Sequence, residues 1–151
     1  MIVQAKFGYW GVNMSRILII VLVCLLPVSV LCGCSRSESS LCGGIVVSFE
    51  VGGEVYNVFI TDEEAIEEVF AVQRGDSQAT IPSGKLLRGS QCYNLPWSWH
   101  IDPEDIHMAE STIELCDGLP SHVEDKLGYW VDTVGRFCPW DARIIHIEDY
   151  R

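Results

Sequence analysis

Positive charge is scarce in this chain. It carries 10 Lys and Arg against 21 Asp and Glu, for a formal net charge of −11. Phosphate binding needs clustered Lys and Arg, so the balance argues against DNA, RNA and anionic lipid as ligands. No C-x-x-C pair occurs, which argues against a zinc ribbon and a thioredoxin-like redox motif. Neither G-x-S-x-G nor H-E-x-x-H is present, so no nucleophile elbow or zinc-protease helix announces an enzyme. There is no internal repeat and no second domain, and nothing calls for a metal or another cofactor.

What is present begins with a leader. Arg16–Leu31 reads RILIIVLVCLLPVSVL, nearly all apolar. A comfortable membrane span takes about 20 apolar residues, so this Pro-interrupted run fits a signal-peptide core better. An uncleaved anchor helix is the alternative. Leu31-Cys32-Gly33-Cys34 resembles a lipobox, with Cys32 in place of the usual Ala or Ser. The resemblance implies cleavage before Cys34, acyl chains on Cys34 and attachment to a membrane through them. Residues 1–33 form the lipoprotein signal peptide, and the compact leader starting at Met14 marks the expected translation start. Residues 34–44 read as the lipidated cysteine and a flexible tether. Ser35 stands where an aspartate would resemble an inner-membrane retention signal, so its presence leans toward an outer membrane. The domain is expected to be exported and anchored to the cell or outer membrane, facing the periplasm or the exterior.

The leader holds two basic and no acidic residues, so its removal takes the net charge from −11 to −13. Of seven cysteines, Cys42, Cys92, Cys116 and Cys138 then remain beside the lipidated Cys34. In an exported domain four such cysteines suggest two disulfides, with three connectivities open.

Residues 45–151 read as one globular domain. Ile45, Val47, Phe49 and Val51 alternate with Val46, Ser48 and Glu50, the period of a half-buried strand. Gly52-Gly53 is a hairpin signal, and folding about it sets Phe49 opposite Tyr56, Val47 opposite Val58 and Ile45 opposite Ile60. Thr61 and Glu64 predict a capping box, followed by a helix with Ile66, Val69 and Phe70 on one face and a stop at Gly75. Lys85–Arg88 reads as a short strand. Asp102 is the expected N-cap of a single turn over Pro103–Asp105. Met108–Cys116 reads as a strand. Ser121 and Glu124 make a second capping box before Val123, Leu127, Trp130, Val131 and Val134, an amphipathic helix ending at Gly135. Arg143–Glu148 is a final strand, buried through Ile145 and Ile147. The class is α+β: a mainly antiparallel sheet with two helices packed on one face.

The unusual words lie in the middle. Asn94–Pro103 reads N-L-P-W-S-W-H-I-D-P, Glu110–Glu124 reads E-S-T-I-E-L-C-D-G-L-P-S-H-V-E, and Phe137–Trp140 reads F-C-P-W. Together they resemble the domain found at the N-terminus of a calmodulin-binding protein family, over roughly residues 45–148. The resemblance implies a family and no particular reaction. Calmodulin targets are basic amphipathic helices, so the acidic charge argues against carrying that partner over. Cys116 and Cys138 stand in the family words on either side of the second helix. They are the pair assigned to one disulfide, leaving Cys42 with Cys92.

Trp97, Trp99, His100 and Asp102 form the candidate binding run. A tryptophan face suits a sugar or a peptide, and a His–carboxylate pair suits an oriented imidazole. The plainer reading is that His100 holds a turn, Asp102 caps a helix and the tryptophans pin the core. No residue is assigned as catalytic. The reading is a lipid-anchored binding or interaction module of the cell envelope, for a protein, peptide or saccharide. The alternatives are a small hydrolase or metal-dependent enzyme using His100, Asp102 and Glu110, and a structural envelope protein.

Overall fold

The first strands follow the alternation of the sequence. In the computed structural model, which describes residues 41–151, β1 (Ile45–Val51) and β2 (Glu54–Ile60) form an antiparallel hairpin. Phe49 faces Tyr56, Val47 faces Val58 and Ile45 faces Ile60, as the apolar period requires. The turn residues Gly52 and Gly53 have φ of 59° and 84°, the left-handed backbone that glycine adopts without a Cβ penalty. The lipobox, Cys34 and residues 34–40 of the expected tether lie outside the described residues. The last tether residues belong to the folded domain: Leu41 is buried in a cluster with Val46 and Phe59, and Gly43 N–H donates to Tyr150 O at 3.1 Å.

The fold is α+β, with two three-stranded antiparallel sheets in place of the single sheet expected. The first has the order β2-β1-β6, with β6 at Arg143–Asp149. The second has the order β4-β3-β5, from β3 (Ile81–Arg88), β4 (Trp99–Ala109) and β5 (Arg136–Phe137). The core holds Phe49, Tyr56 and Val58 from the first sheet and Trp99, Ile101 and Phe137 from the second. Its rings meet tilted and edge-on, with Tyr56 at 6.0 Å from Trp99 and 5.3 Å from Phe137. The helical segments are short and do not make one clear layer on one face.

Helix α1 (Glu63–Arg74) buries Ile66 and Val69 and ends at left-handed Gly75. Its cap is Asp62, which accepts from Ala65 N–H at 2.9 Å, one residue later than the expected Thr61. Thr61 is drawn elsewhere, donating through both N–H and hydroxyl to Pro103 O. That contact also explains Pro103–Asp105. Rather than a helical turn, these residues form a bulge within β4: Gly84 pairs with Ile106 and Leu86 with Ile101, leaving Asp102–Asp105 opposite Lys85.

The strand expected over Met108–Cys116 ends at Ala109, and Glu114–Cys116 is a 3-10 turn. Ile113 and Leu115 are 67% and 54% exposed, so their alternation marks a solvent-facing loop and no sheet face. The second helix also breaks. Helix α2 (Pro120–Asp125) stops at Lys126, with φ −130° and ψ 40°. Helix α3 (Leu127–Tyr129) follows, then a π-helical turn over Trp130–Val134 closed by Gly135 N–H to Trp130 O at 2.7 Å. Ser121 and Glu124 do not cap each other. Ser121 donates to both carboxylate oxygens of Glu54, and Glu124 accepts from Ser98 N–H at 2.9 Å. On β6 a register shift makes Ile145 the extra residue between His146 and Ile144. Ile145 is therefore exposed, and Ile144 joins Ile147 against the core.

Candidate functional site

The tryptophan-rich run fastens the open edge of β2 to the second sheet. An edge strand presents unpaired N–H and C=O groups, which proteins cover. Here Val55 O accepts from Trp97 Nε1 at 2.8 Å, and Asn57 N–H donates to Asn94 Oδ1 at 2.7 Å. Thr61 N–H donates to Pro103 O at 3.2 Å. Asn94 is fully buried and also donates through Nδ2 to Trp99 O at 2.9 Å. The four candidate residues thus have distinct places. Trp99 lies wholly inside the core, so it has no exposed face to serve as a platform. Trp97 is half-buried and tied to Val55. His100 is 9% exposed, and its Nδ1 lies 2.8 Å from Gly89 O. A carbonyl only accepts, so Nδ1 is the protonated, donating nitrogen. Asp102 is half-buried, with Oδ2 at 3.6 Å from Lys85 Nζ and Oδ1 accepting from Glu104 N–H.

His100 lines a cavity of about 400 Å³ with Leu41, Phe59, Cys92, Tyr93 and Pro103. Among the described residues no carboxylate lines it. Burial, and secondarily the charge of Asp102, push the Tyr93 hydroxyl up to about 12. Glu110 is exposed and lines neither this cavity nor the one below, so His100, Asp102 and Glu110 share no site. Among the described residues no group of three or more His, Cys, Asp or Glu is placed to hold a metal ion.

A larger open cleft, of about 560 Å³, lies over β3 and β4. Ser83 stands directly across from His107 in the β3–β4 register. Lys85 and Asp105 extend the polar floor, and Arg136 reaches in from β5. Both terminal guanidinium nitrogens of Arg136 donate to Asp105 Oδ1, Nη1 at 2.7 Å. Arg136 is paired with Asp105 inside the cleft, and Lys85 with Asp102 just outside its lining. The Ser83 hydroxyl and the His107 ring both line the cleft, and neither has a hydrogen-bond partner among the described residues.

Ile113 and Leu115 form the apolar wall of the cleft. Their loop is held in shape from the far side. Cys116 and Cys138 are joined by a disulfide with Cα atoms 5.2 Å apart, and Trp140 Nε1 donates to Thr112 Oγ1 at 2.7 Å. The pairing of Cys42 with Cys92 does not form. Leu41 turns inward while Cys42, its neighbour, is a free and exposed thiol, and Cys92 is disulfide-bonded to a different residue.

The cleft residues Ser83, Lys85, Asp105, His107 and Arg136 carry no motif, and only the strand pairing brings them together. The one local signal was the alternating Ile113 and Leu115, which reads as a strand until the loop is seen to leave the sheet.

No curated protein and no solved structure matches the chain. The family model of the BP-74 N-terminal domain, that of a calmodulin-binding protein, matches residues 45–151, which include all three of the unusual words. With most of its length so matched, the chain belongs to this family of calmodulin-binding-protein N-terminal domains.

Proposed function

We propose that this protein is a lipid-anchored binding module of the cell envelope, with its ligand in the cleft over Ser83 and His107. The observation that carries the reading is the cleft itself. Ligand sites are typically concave, about 300–1,000 Å³, with apolar lining and a few polar groups. This one sets exposed Ile113 and Leu115 beside a polar floor of Ser83, His107, Asp105 and Arg136. The anchor rests on Leu31–Cys34, and the domain would reach its ligand from the membrane surface.

The test of binding is a protein-observed NMR screen of the full-length chain in detergent with fragments of varied chemistry. Shift changes should gather at Ser83, His107 and Ile113. A screen in which no fragment perturbs those residues would sink the reading. The anchor is tested separately: Cys34→Ser should lose lipid labelling and membrane sedimentation, and retention of both would remove it.

A further inference from the structure

Resting on that reading, we infer that the cleft binds a neutral saccharide. The floor is the face of a sheet, and β3 is paired with β4 on one edge and β5 on the other. β5 covers only Gly84 and Lys85, and the stretch of β3 beyond it carries Pro82, which has no N–H to offer a peptide strand, so side chains are the main groups that address the ligand. Those side chains mix donors and acceptors at close quarters. Ser83 and His107 each offer both functions. Arg136 has N–H groups beyond those given to Asp105, and Asp105 Oδ2 has no partner among the described residues. A sugar hydroxyl donates and accepts at once, so adjacent donors and acceptors suit it better than they suit a carboxylate or an ammonium.

Charge points the same way. Each cation of the cleft already has a carboxylate partner, Arg136 in Asp105 and Lys85 in Asp102, and the chain carries −11 overall. An anion would find both cations already paired and a negative chain around them, and a cation would meet Lys85 and Arg136. Ile113 and Leu115 complete the fit, since a pyranose ring presents C–H groups on its face while its edge carries hydroxyls. Ser83 Oγ has no hydrogen-bond partner among the described residues and lines the cleft, so it is free both to donate to and to accept from a sugar hydroxyl.

The experiment titrates the full-length chain in detergent with cellotriose, maltotriose and N,N′-diacetylchitobiose, alongside trigalacturonate and an uncharged blocked tripeptide. At least one neutral sugar should perturb Ser83, His107 and Ile113. Ser83→Ala and Ile113→Ser should each weaken its binding roughly three- to tenfold while the remaining amide spectrum is kept. Because the Ser83 hydroxyl holds no protein group, its removal leaves no protein partner unsatisfied. His107→Ala, at an exposed position, provides a second floor variant with the same expectation. Equal or tighter binding of trigalacturonate, perturbation by the tripeptide alone, or silence from every sugar would each overturn the inference. Silence from the sugars with other fragments still seated in the cleft overturns the saccharide and leaves the binding module standing.

Discussion

Before β4 the chain runs through Asn94–Ser98, and after it through Glu110–Cys116. Both segments are loops rich in large side chains, and both are tied down. In the first, the ties are made by the conspicuous residues themselves. Asn94 and Trp97 satisfy the open edge of β2, and Trp99, where β4 begins, fills the core. In the second, the ties lie at the flanks: the Cys116–Cys138 disulfide and the Trp140–Thr112 hydrogen bond hold the frame. Ile113 and Leu115 remain largely open to solvent. Large aromatic residues in an unusual word therefore served architecture, and two ordinary aliphatics became the candidates for recognition.

The sharpest way to break this comparison is Trp99→Ala. Deleting a buried aromatic should cost about 3–5 kcal/mol, read by urea denaturation. A loss below about 1 kcal/mol would mean that the first segment is not the pin described. Next in size is the double change Cys116→Ser with Cys138→Ser. The chain-entropy model gives about 3 kcal/mol for a loop of this order. Hydrogen exchange should rise in Thr112–Leu115 and stay slow in Trp99–Ile101. Equal loosening of both would show that the two segments share one frame.

A smaller effect separates them by pH. Tyr93, beside the first segment, has its hydroxyl raised from 10 to about 12 by burial. The unfolded chain therefore releases that proton first. Its contribution is fully present below pH 10 and declines as pH rises from 10 through 12. Tyr56, wholly buried and raised well above 10, acts in the same direction. Urea midpoints should fall between about pH 9 and about pH 11.5, and Tyr93→Phe should reduce the fall. An unchanged slope in that variant would clear Tyr93 of the role. The smallest expected effect is at the cleft wall: Ile113→Ser and Leu115→Ser should each stay within about 0.5 kcal/mol. A cost near that of Trp99→Ala would erase the contrast between the segments.

The hairpin was readable to the residue because its information is local: a period of two, a Gly-Gly turn and apolar partners at matched distances. Helix α1 was readable for similar reasons, and its cap missed by one residue because Thr61 is claimed by Pro103, far along the chain. The same distant contact turned Asp102–Asp105 from an expected helical turn into a bulge. Ile145 misled because one inserted residue in β6 exchanges the faces of the strand. The cleft was the least legible part. Ser83 and His107 meet only through the pairing of β3 with β4, and Arg136 joins them only because β5 lies on the other side. Strand order depends on which sheets can close over the shared core, and periodicity does not encode it.

The place of β6 beside β1 has a consequence for the life of the chain as it is made. β1 is the middle strand of its sheet and the first of its three to be synthesised, and Ile45 takes Asp149 as its partner. One flank of β1 can be filled as soon as the hairpin turns, while the other stays open until the last strand emerges. Joining strands so far apart carries a loop-closure penalty that only the finished core offsets. The first sheet therefore remains incomplete until β6 has been made, and the early hairpin waits with one bare flank while the second sheet and the helices are synthesised.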